Sequence, residues 1–155
     1  MSRTDTSSWP CTIARGADLL GDGWNLLIIR QACLGARRFD EFRTALGIGR
    51  SILSAHLDRL TEAGVLVRVP YQERPVRHEY RLTEKGRDVF PVLAAIAAWA
   101  DKWMVGPEGT PLVLHHTECG HDMHAEVVCS HCGDQLEARQ VRATLGPGHP
   151  SRQAG

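Results

Sequence analysis

The sequence predicts a mainly α-helical fold with one small β-hairpin, followed by a short β-rich appendage built around metal ligands. Three observations carry this expectation: helical apolar spacing through most of the chain up to residue 104, two strand-like runs after a glycine-punctuated helix pair, and the segment HHTECGHDMHAEVVCSHCG at 115–133. That segment holds three of the five cysteines and five of the eight histidines. A chain of 155 residues has room for one domain of about 100 residues and a small addition, not for two full cores.

Residues 1–10 are polar and predict a flexible arm. In CTIARGADLLGDGW, Ile13, Ala17 and Leu20 share a helix face, and GDG at 21–23 ends that helix before Trp24. WNLLIIRQACL is apolar on nearly every side from Leu26 to Ile29, which predicts a short buried helix. Phe39, Phe42 and Leu46 give the next helix, stopped by Gly47 and Gly49. In SILSAHLDRLTEAG, Leu53, Leu57 and Leu60 share a face, and Gly64 stands where a helix C-cap belongs. Helix, glycine-containing turn, helix is helix-turn-helix grammar. VLVRVPY and HEYRL then predict two strands joined by the polar QERPVR, a hairpin with a basic tip.

Thr83 predicts the N-cap of a long helix running to about Trp103. Its two apolar stripes, Val89, Leu93, Ile96, Ala100, Trp103 and Phe90, Ala97, Met104, exceed what one small core needs, so one is available to a second copy of the chain. Residues 11–104 are expected to form this domain, VGPEGTP at 105–111 a linker, 112–145 the metal-binding appendage and 146–155 a disordered tail.

The formal net charge of zero conceals an asymmetry. From Arg37 to Arg87 there are eleven basic and seven acidic residues, whereas beyond Gly106 there are three basic and six acidic. A basic middle allows a nucleic-acid partner. The longest apolar run, VLAAIAAWA, has nine residues, well short of the roughly 20 a membrane span needs. MSRTDTSSWP lacks the apolar stretch of a signal peptide, so the expected compartment is the cytoplasm, where thiols stay reduced.

Three helices, a turn and a hairpin are the parts of a winged helix, in which the second helix of the pair enters the DNA major groove and the hairpin lies along the flanking backbone. Groove-facing positions lie opposite Leu53, Leu57 and Leu60 and in the first turn, which selects Arg50, Ser51, Ser54 and Ala55, with His56 and Arg59 at the edge. Arg50 can donate two hydrogen bonds to guanine. Arg74 and Arg77 bracket the hairpin tip, within reach of phosphate or a narrow minor groove. For any one arginine, a solvated surface charge is the competing reading.

The residues W…LLIIR, RRFDEF, LSAHLDRLTEAG and HEYRLTEKG, over about 11–104, closely resemble the HxlR-type family of bacterial winged helix-turn-helix transcriptional regulators. The resemblance implies a homodimer formed by the N-terminal and long C-terminal helices, bound to a pseudo-palindromic operator on double-stranded DNA, and no enzymatic activity. It leaves repression or activation open. Gly49 stands where the family often has a serine cap, a change worth only a few tenths of a kcal/mol.

Cys11 follows Pro10 at the expected start of the first helix, with Arg15 one turn on. A helix N-terminus and a nearby cation favour thiolate, and several HxlR-type regulators sense oxidants or electrophiles through a cysteine at the matching position. A small packing residue is the equal alternative. Cys33, within an apolar helix, is assigned to the core. Trp9, Trp99 and Trp103 are either dimer-interface anchors or the walls of a pocket for a small-molecule effector, the first being the commoner use of such aromatics.

His116-Thr-Glu-Cys119-Gly120 and Cys129-Ser-His-Cys132-Gly133 share an x-x-Cys-Gly ending, with nine residues between Cys119 and Cys129. In a zinc knuckle the turn aims backbone N–H groups at the first thiolate, and the following glycine closes the turn. Two facing knuckles predict one structural zinc per chain, held by Cys119, Cys129, Cys132 and His116, with His115, His121, His124 and His131 as competitors for the fourth position. So small a segment cannot fold by burial alone, and metal supplies the missing free energy. Residues 113–138 resemble a rubredoxin-like zinc ribbon. A zinc-ribbon adaptor for protein partners and a small zinc hydrolase are the alternative functions; the hydrolase needs an open coordination position, which closed knuckles do not leave.

Overall fold

The computed structural model describes residue 6 and residues 8–153. The expectations for residues 1–5, 7, 154 and 155 lie outside the described residues. The chain divides into two compact units, one ending at Phe90 and the other starting at Pro91. The first carries α1 (Thr12–Leu20), α2 (Gly23–Cys33), α3 (Phe39–Leu46), α4 (Arg50–Glu62), β1 (Leu66–Glu73), β2 (Val76–Leu82) and α5 (Glu84–Arg87); α6 (Phe90–Trp103) begins at its last residue. The expected linker at 105–111 falls inside the second unit.

The core of the first unit follows from the apolar spacing. Ile28, Ile29 and Ala32 of α2, Phe42 of α3, and Leu53, Leu57 and Leu60 of α4 are fully buried. Tyr80 of β2 meets Phe42 edge-on, with ring centroids 6.4 Å apart. The Asp22 carboxylate caps α2 by accepting from the Trp24 amide at 3.0 Å, which fixes the break after α1. Gly64 has φ +70°; there Val65 N–H donates to Leu60 O and Gly64 N–H to Thr61 O, the paired bonds that close a helix on a left-handed residue. That turn aims the chain directly into β1.

The two strands pair antiparallel and are longer than expected, leaving only Arg74 and Pro75 in the turn. QERPVR is therefore mostly strand, because its polar residues lie on a two-stranded ribbon with little to bury. The register slips between Pro70 and Gln72, leaving Tyr71 as an extra residue. On its other edge β2 bridges to the chain just before α3: Arg38 pairs with Glu79, and Tyr80 N–H donates to Arg37 O at 2.7 Å. This bridge moors the wing to the start of α3.

Thr83 caps as expected, its hydroxyl accepting from Gly86 N–H at 3.1 Å. The single long helix does not form, however. It is split into α5 and α6 around Asp88 and Val89. Pro91 explains the break, since it has no N–H to donate to the Arg87 carbonyl and is tolerated in the first turn of a new helix, where α6 places it; apolar periodicity alone does not register that loss.

In the second unit, Val92, Ile96, Trp99 and Trp103 recur at 4-3-4 spacing on α6 and are 45, 45, 59 and 66% exposed. The exposed stripe thus cuts across the two expected from sequence. Beyond it, β3 (Leu114–His116) pairs with β4 (His121–Met123), and Val128 bridges Gln135. A short α7 (Pro150–Gln153) appears where a disordered tail was expected. Proline suits a helix's first turn, and the His149 ring accepts from Ser151 N–H at 3.3 Å.

Candidate nucleic-acid interface and metal-ligand cluster

α4 starts at Arg50 with Gly49 as its N-cap; glycine offers no side-chain acceptor, so the first-turn amides have no side-chain cap. Ser51 and Ala55 are exposed, Ser54 is half-buried, and Arg74 and Arg77 are exposed at the hairpin tip. Arg50 projects with 71% of its side chain exposed, 3.5 Å from Asp40 of α3 and 5.7 Å from the centre of the Phe39 ring.

An open groove of about 760 Å³ runs between the starts of α3 and α4 and the wing. Four guanidiniums line it, those of Arg38, Arg50, Arg68 and Arg77, together with Tyr71 and His78. Sequence reasoning selected only Arg50 and Arg77 of these. Arg38 arrives through the bridge to Glu79, and its guanidinium stacks 4.5 Å over Tyr71, the residue that the bulge releases from the ladder. Arg68 bonds the Tyr80 hydroxyl at 3.3 Å, which raises its pKa further above the ordinary arginine value, with Asp58 adding a smaller push. The Arg37-Arg38 doublet was the visible signal, but its direction depends on strand pairing.

Glu41, at the third position of α3, accepts from the Arg37 and Arg38 amides at 2.7 and 3.0 Å. These two bonds hold its carboxyl below the usual glutamate range. Arginine has no acceptor with which to complete a reciprocal capping box. Glu41 is therefore held ionised at the helix start, and with Asp40 it is one of two carboxylates that line the groove beside the four guanidiniums.

Two residues expected at the edge of the DNA face point elsewhere. His56 Nδ1 lies 2.8 Å from Oδ1 of the fully buried Asn25, whose amide donates to Leu19 O at 2.7 Å. Arg59 reaches Asp18 on α1. Both satisfy polar groups where α1 meets α2, a need that helix periodicity cannot reveal. Cys11 is exposed at the N-cap of α1, while Arg15, expected beside it, donates to Trp9 O at 2.8 Å. Cys33 is half-buried, and burial raises its pKa despite the opposing charge of Arg37.

The expected metal ligands are gathered in pairs. His116 Nδ1 lies 3.3 Å from Cys119 Sγ, and Gly120, at φ +72°, donates its N–H to His116 O at 2.8 Å. In the second turn the Cys132 and His131 amides, then the Cys132 thiol, bond Cys129 and hold its pKa below the ordinary thiol value. Gly133, at φ +80°, donates to Cys129 O at 2.9 Å. Both turns therefore place two potential ligands side by side and close on a left-handed glycine. Among the described residues, no three His, Cys, Asp or Glu side chains surround one point. Three competing histidines have other partners: His115 on Asp122, His121 on Cys119 O, and His124 on Glu126.

A three-helix core with a hairpin bridged to its second helix pair, and arginines on the face between them, defines a winged helix-turn-helix protein. The HxlR-like helix-turn-helix profile matches residues 19–107, and the chain belongs to that family. It is 43% identical over 143 residues to the HTH-type transcriptional regulator Rv3095 of Mycobacterium tuberculosis, covering 92% of this chain and 90% of that one. Among solved structures it resembles PA1607, a putative transcription factor, with TM-score 0.83 and 38% identity over 92% of this chain and 100% of that one. It also resembles the redox regulator HypR in its reduced form, with TM-score 0.56 and 28% identity over 59% of this chain and 92% of that one. The chain is thus a transcriptional regulator of the HxlR type, a class whose members bind DNA and are not enzymes. No helix among the described residues is long and apolar enough to cross a membrane.

Proposed function

We propose that the protein regulates transcription as a homodimer on a pseudo-palindromic operator, reading each half-site with α4 and clamping the flanking backbone with the wing. The observation that carries this reading is the groove in which Arg50 of α4, Arg38 at the start of α3, and Arg68 and Arg77 of the hairpin converge. Guanidiniums from three elements facing one channel suit a polyanion, and a major-groove helix beside a backbone-contacting wing suits duplex DNA. The exposed stripe Val92, Ile96, Trp99, Trp103 supports the dimer, since an apolar helix face of that length is costly to leave in water. Ser51, Ser54, Ala55 and Arg74 belong to the same proposed surface.

One structural zinc ion per chain is part of the reading. Cys119, Cys129 and Cys132 are its thiolate ligands and His116 the fourth, supported by the His116–Cys119 approach, the amide bonds to Cys129 and the other partners of the competing histidines. The ion would join the two turns, and in doing so fold the appendage. A thiol response through Cys11 is supported by its exposure and by the likeness to a redox regulator.

The test is a footprint and mass measurement on the full chain. Protection of two half-sites about one helical turn apart, by a species of twice the chain mass, is expected. A monomer in solution at micromolar concentration, with a single short footprint, would overturn the reading.

A further inference from the structure

A second arginine cluster lies apart from the groove facing α4. At the end of α2, the end of β2 and the α5–α6 junction, a cleft of about 510 Å³ opens, lined by Arg37, Arg81 and Arg87 and by the apolar Ala32, Leu82 and Phe90. We infer that this cleft binds a small aromatic carboxylate, its anionic head between Arg37 and Arg87 and its ring against Phe90 and Leu82.

Charge gives the first argument. Arg37 Nη1 donates to Ala32 O at 2.7 Å and Ala36 O at 2.9 Å, and Arg87 Nη1 donates to Leu82 O at 3.1 Å. Backbone carbonyls thus fix both guanidiniums in place without neutralising them. Among the described residues, no carboxylate lies within ion-pair distance of either guanidinium; Glu41 bonds the Arg37 amide instead. Only Arg81 is paired, with Glu79 at 2.9 Å. Three cations against two carboxylates, Glu79 paired with Arg81 and Glu41 held at the start of α3, leave the cleft net positive, and two planar forks with remaining N–H donors match a carboxylate.

Shape gives the second argument. The cleft is open to solvent on one side and sets the apolar Leu82 and Phe90 beside the guanidiniums, a shape that seats one flat ring with a charged head without enclosing it. Phe90 is 43% exposed at the mouth of this cleft, where its ring is available to an apolar partner. A bare inorganic anion would leave that surface wet. Duplex DNA would fit the guanidiniums but not the recess, which makes it the competing occupant.

The probe is 2-naphthoate, titrated into the full-length protein and followed by calorimetry and by amide NMR shifts. Two controls accompany it: 2-naphthamide, the neutral isostere, and inorganic phosphate. Saturable naphthoate binding is expected, with the shifts centred on Ala32, Leu82 and Arg87. It should weaken about tenfold in Arg87→Gln, as for the loss of one charge-assisted hydrogen bond, and stay unchanged in Arg74→Gln at the wing tip. Arg87 is exposed, so its variant should fold, and a second variant, Arg81→Gln, guards against a local artefact. Binding of 2-naphthamide as tight as that of naphthoate, phosphate binding as tight as that of naphthoate, or naphthoate affinity unaffected in Arg87→Gln would each overturn the assignment. So would competitive displacement of naphthoate by a short duplex whose binding depends on Arg87, which would make the cleft a DNA contact.

Discussion

Arg59 of α4 donates through Nη2 to the main-chain carbonyl of Asp18 at 2.7 Å and lies 3.3 Å from the Asp18 carboxylate. The edge of α4 that carries Arg59 is therefore tied to α1. At 38 and 24% exposure the ionic part is screened by solvent, so the charged donor on a fixed carbonyl carries most of the effect. Arg59→Met should lower the unfolding free energy by about 1–2 kcal/mol in urea titration. It should leave the salt dependence of DNA binding unchanged, and a fall in that slope would make Arg59 a phosphate contact.

Arg50 and Arg77 should fail differently. Arg50→Ala should cost about 1–3 kcal/mol per half-site on the operator and little on random duplex, the signature of a base contact. Arg77→Ala should weaken both and reduce the salt slope by about one, the signature of a phosphate contact. Fluorescence anisotropy across a salt series separates the two, and wild-type affinity in both variants would exclude the groove as the DNA face.

Gly86 and Gly16 should respond in opposite directions to alanine. A Cβ at Gly86 would run into the Val65 carbonyl oxygen and sit 2.9 Å from Leu82 Cδ2, whereas one at Gly16 meets nothing within 4 Å. Gly86→Ala should destabilise by about 1–3 kcal/mol through overpacking. Gly16→Ala, on an exposed helix position, should stabilise by about 0.5–1 kcal/mol. Thermal melts of the two variants test the pair.

Glu41 makes part of the stability acid-sensitive. Its carboxyl pKa is lowered in the folded state by the Arg37 and Arg38 amides. The contribution is therefore complete above the ordinary glutamate pKa of about 4.3 and is lost as pH falls through the lower folded value. Glu41→Gln should flatten the acid limb of the stability-versus-pH curve; an unchanged limb would show that the two amide bonds do not persist in solution.

Protein prepared in reducing buffer without chelator should carry one zinc per chain by elemental analysis. Chelation, or Cys129→Ser, should remove the NMR dispersion of residues beyond about Thr110 and spare the first unit, whose core is separate. Absence of stoichiometric metal would sink the site. Full zinc retention by His116→Ala would move only its fourth ligand.

Features set by neighbours in sequence were legible. Leu53, Leu57 and Leu60 announced the buried face of α4, Gly64 its left-handed exit and Thr83 the cap of α5, because helix period and capping are local. Arg38 and Tyr71 were not legible as partners, since their meeting needs both the bridge to Glu79 and the slip in the ladder. His56 and Arg59 lie on the correct helix, yet their partners are 31 and 41 residues away, at a helix junction with its own unmet carbonyls. The two Cys-Gly turns were visible as turns, because a glycine amide closing back on the carbonyl four residues earlier is a local feature.

The slip at Tyr71 has a consequence for how this wing tolerates change. From Pro70 to Glu73 the chain takes three steps, while its partners from His78 to Val76 take two. The kink is therefore encoded in the number of residues and not in their kind. Exchanging Tyr71 for another side chain keeps the curve and forfeits only the stacking on Arg38. Removing it evens the two arms, straightens the ribbon and re-aims its basic tip, so insertions and deletions, more than replacements, are what this hairpin cannot absorb.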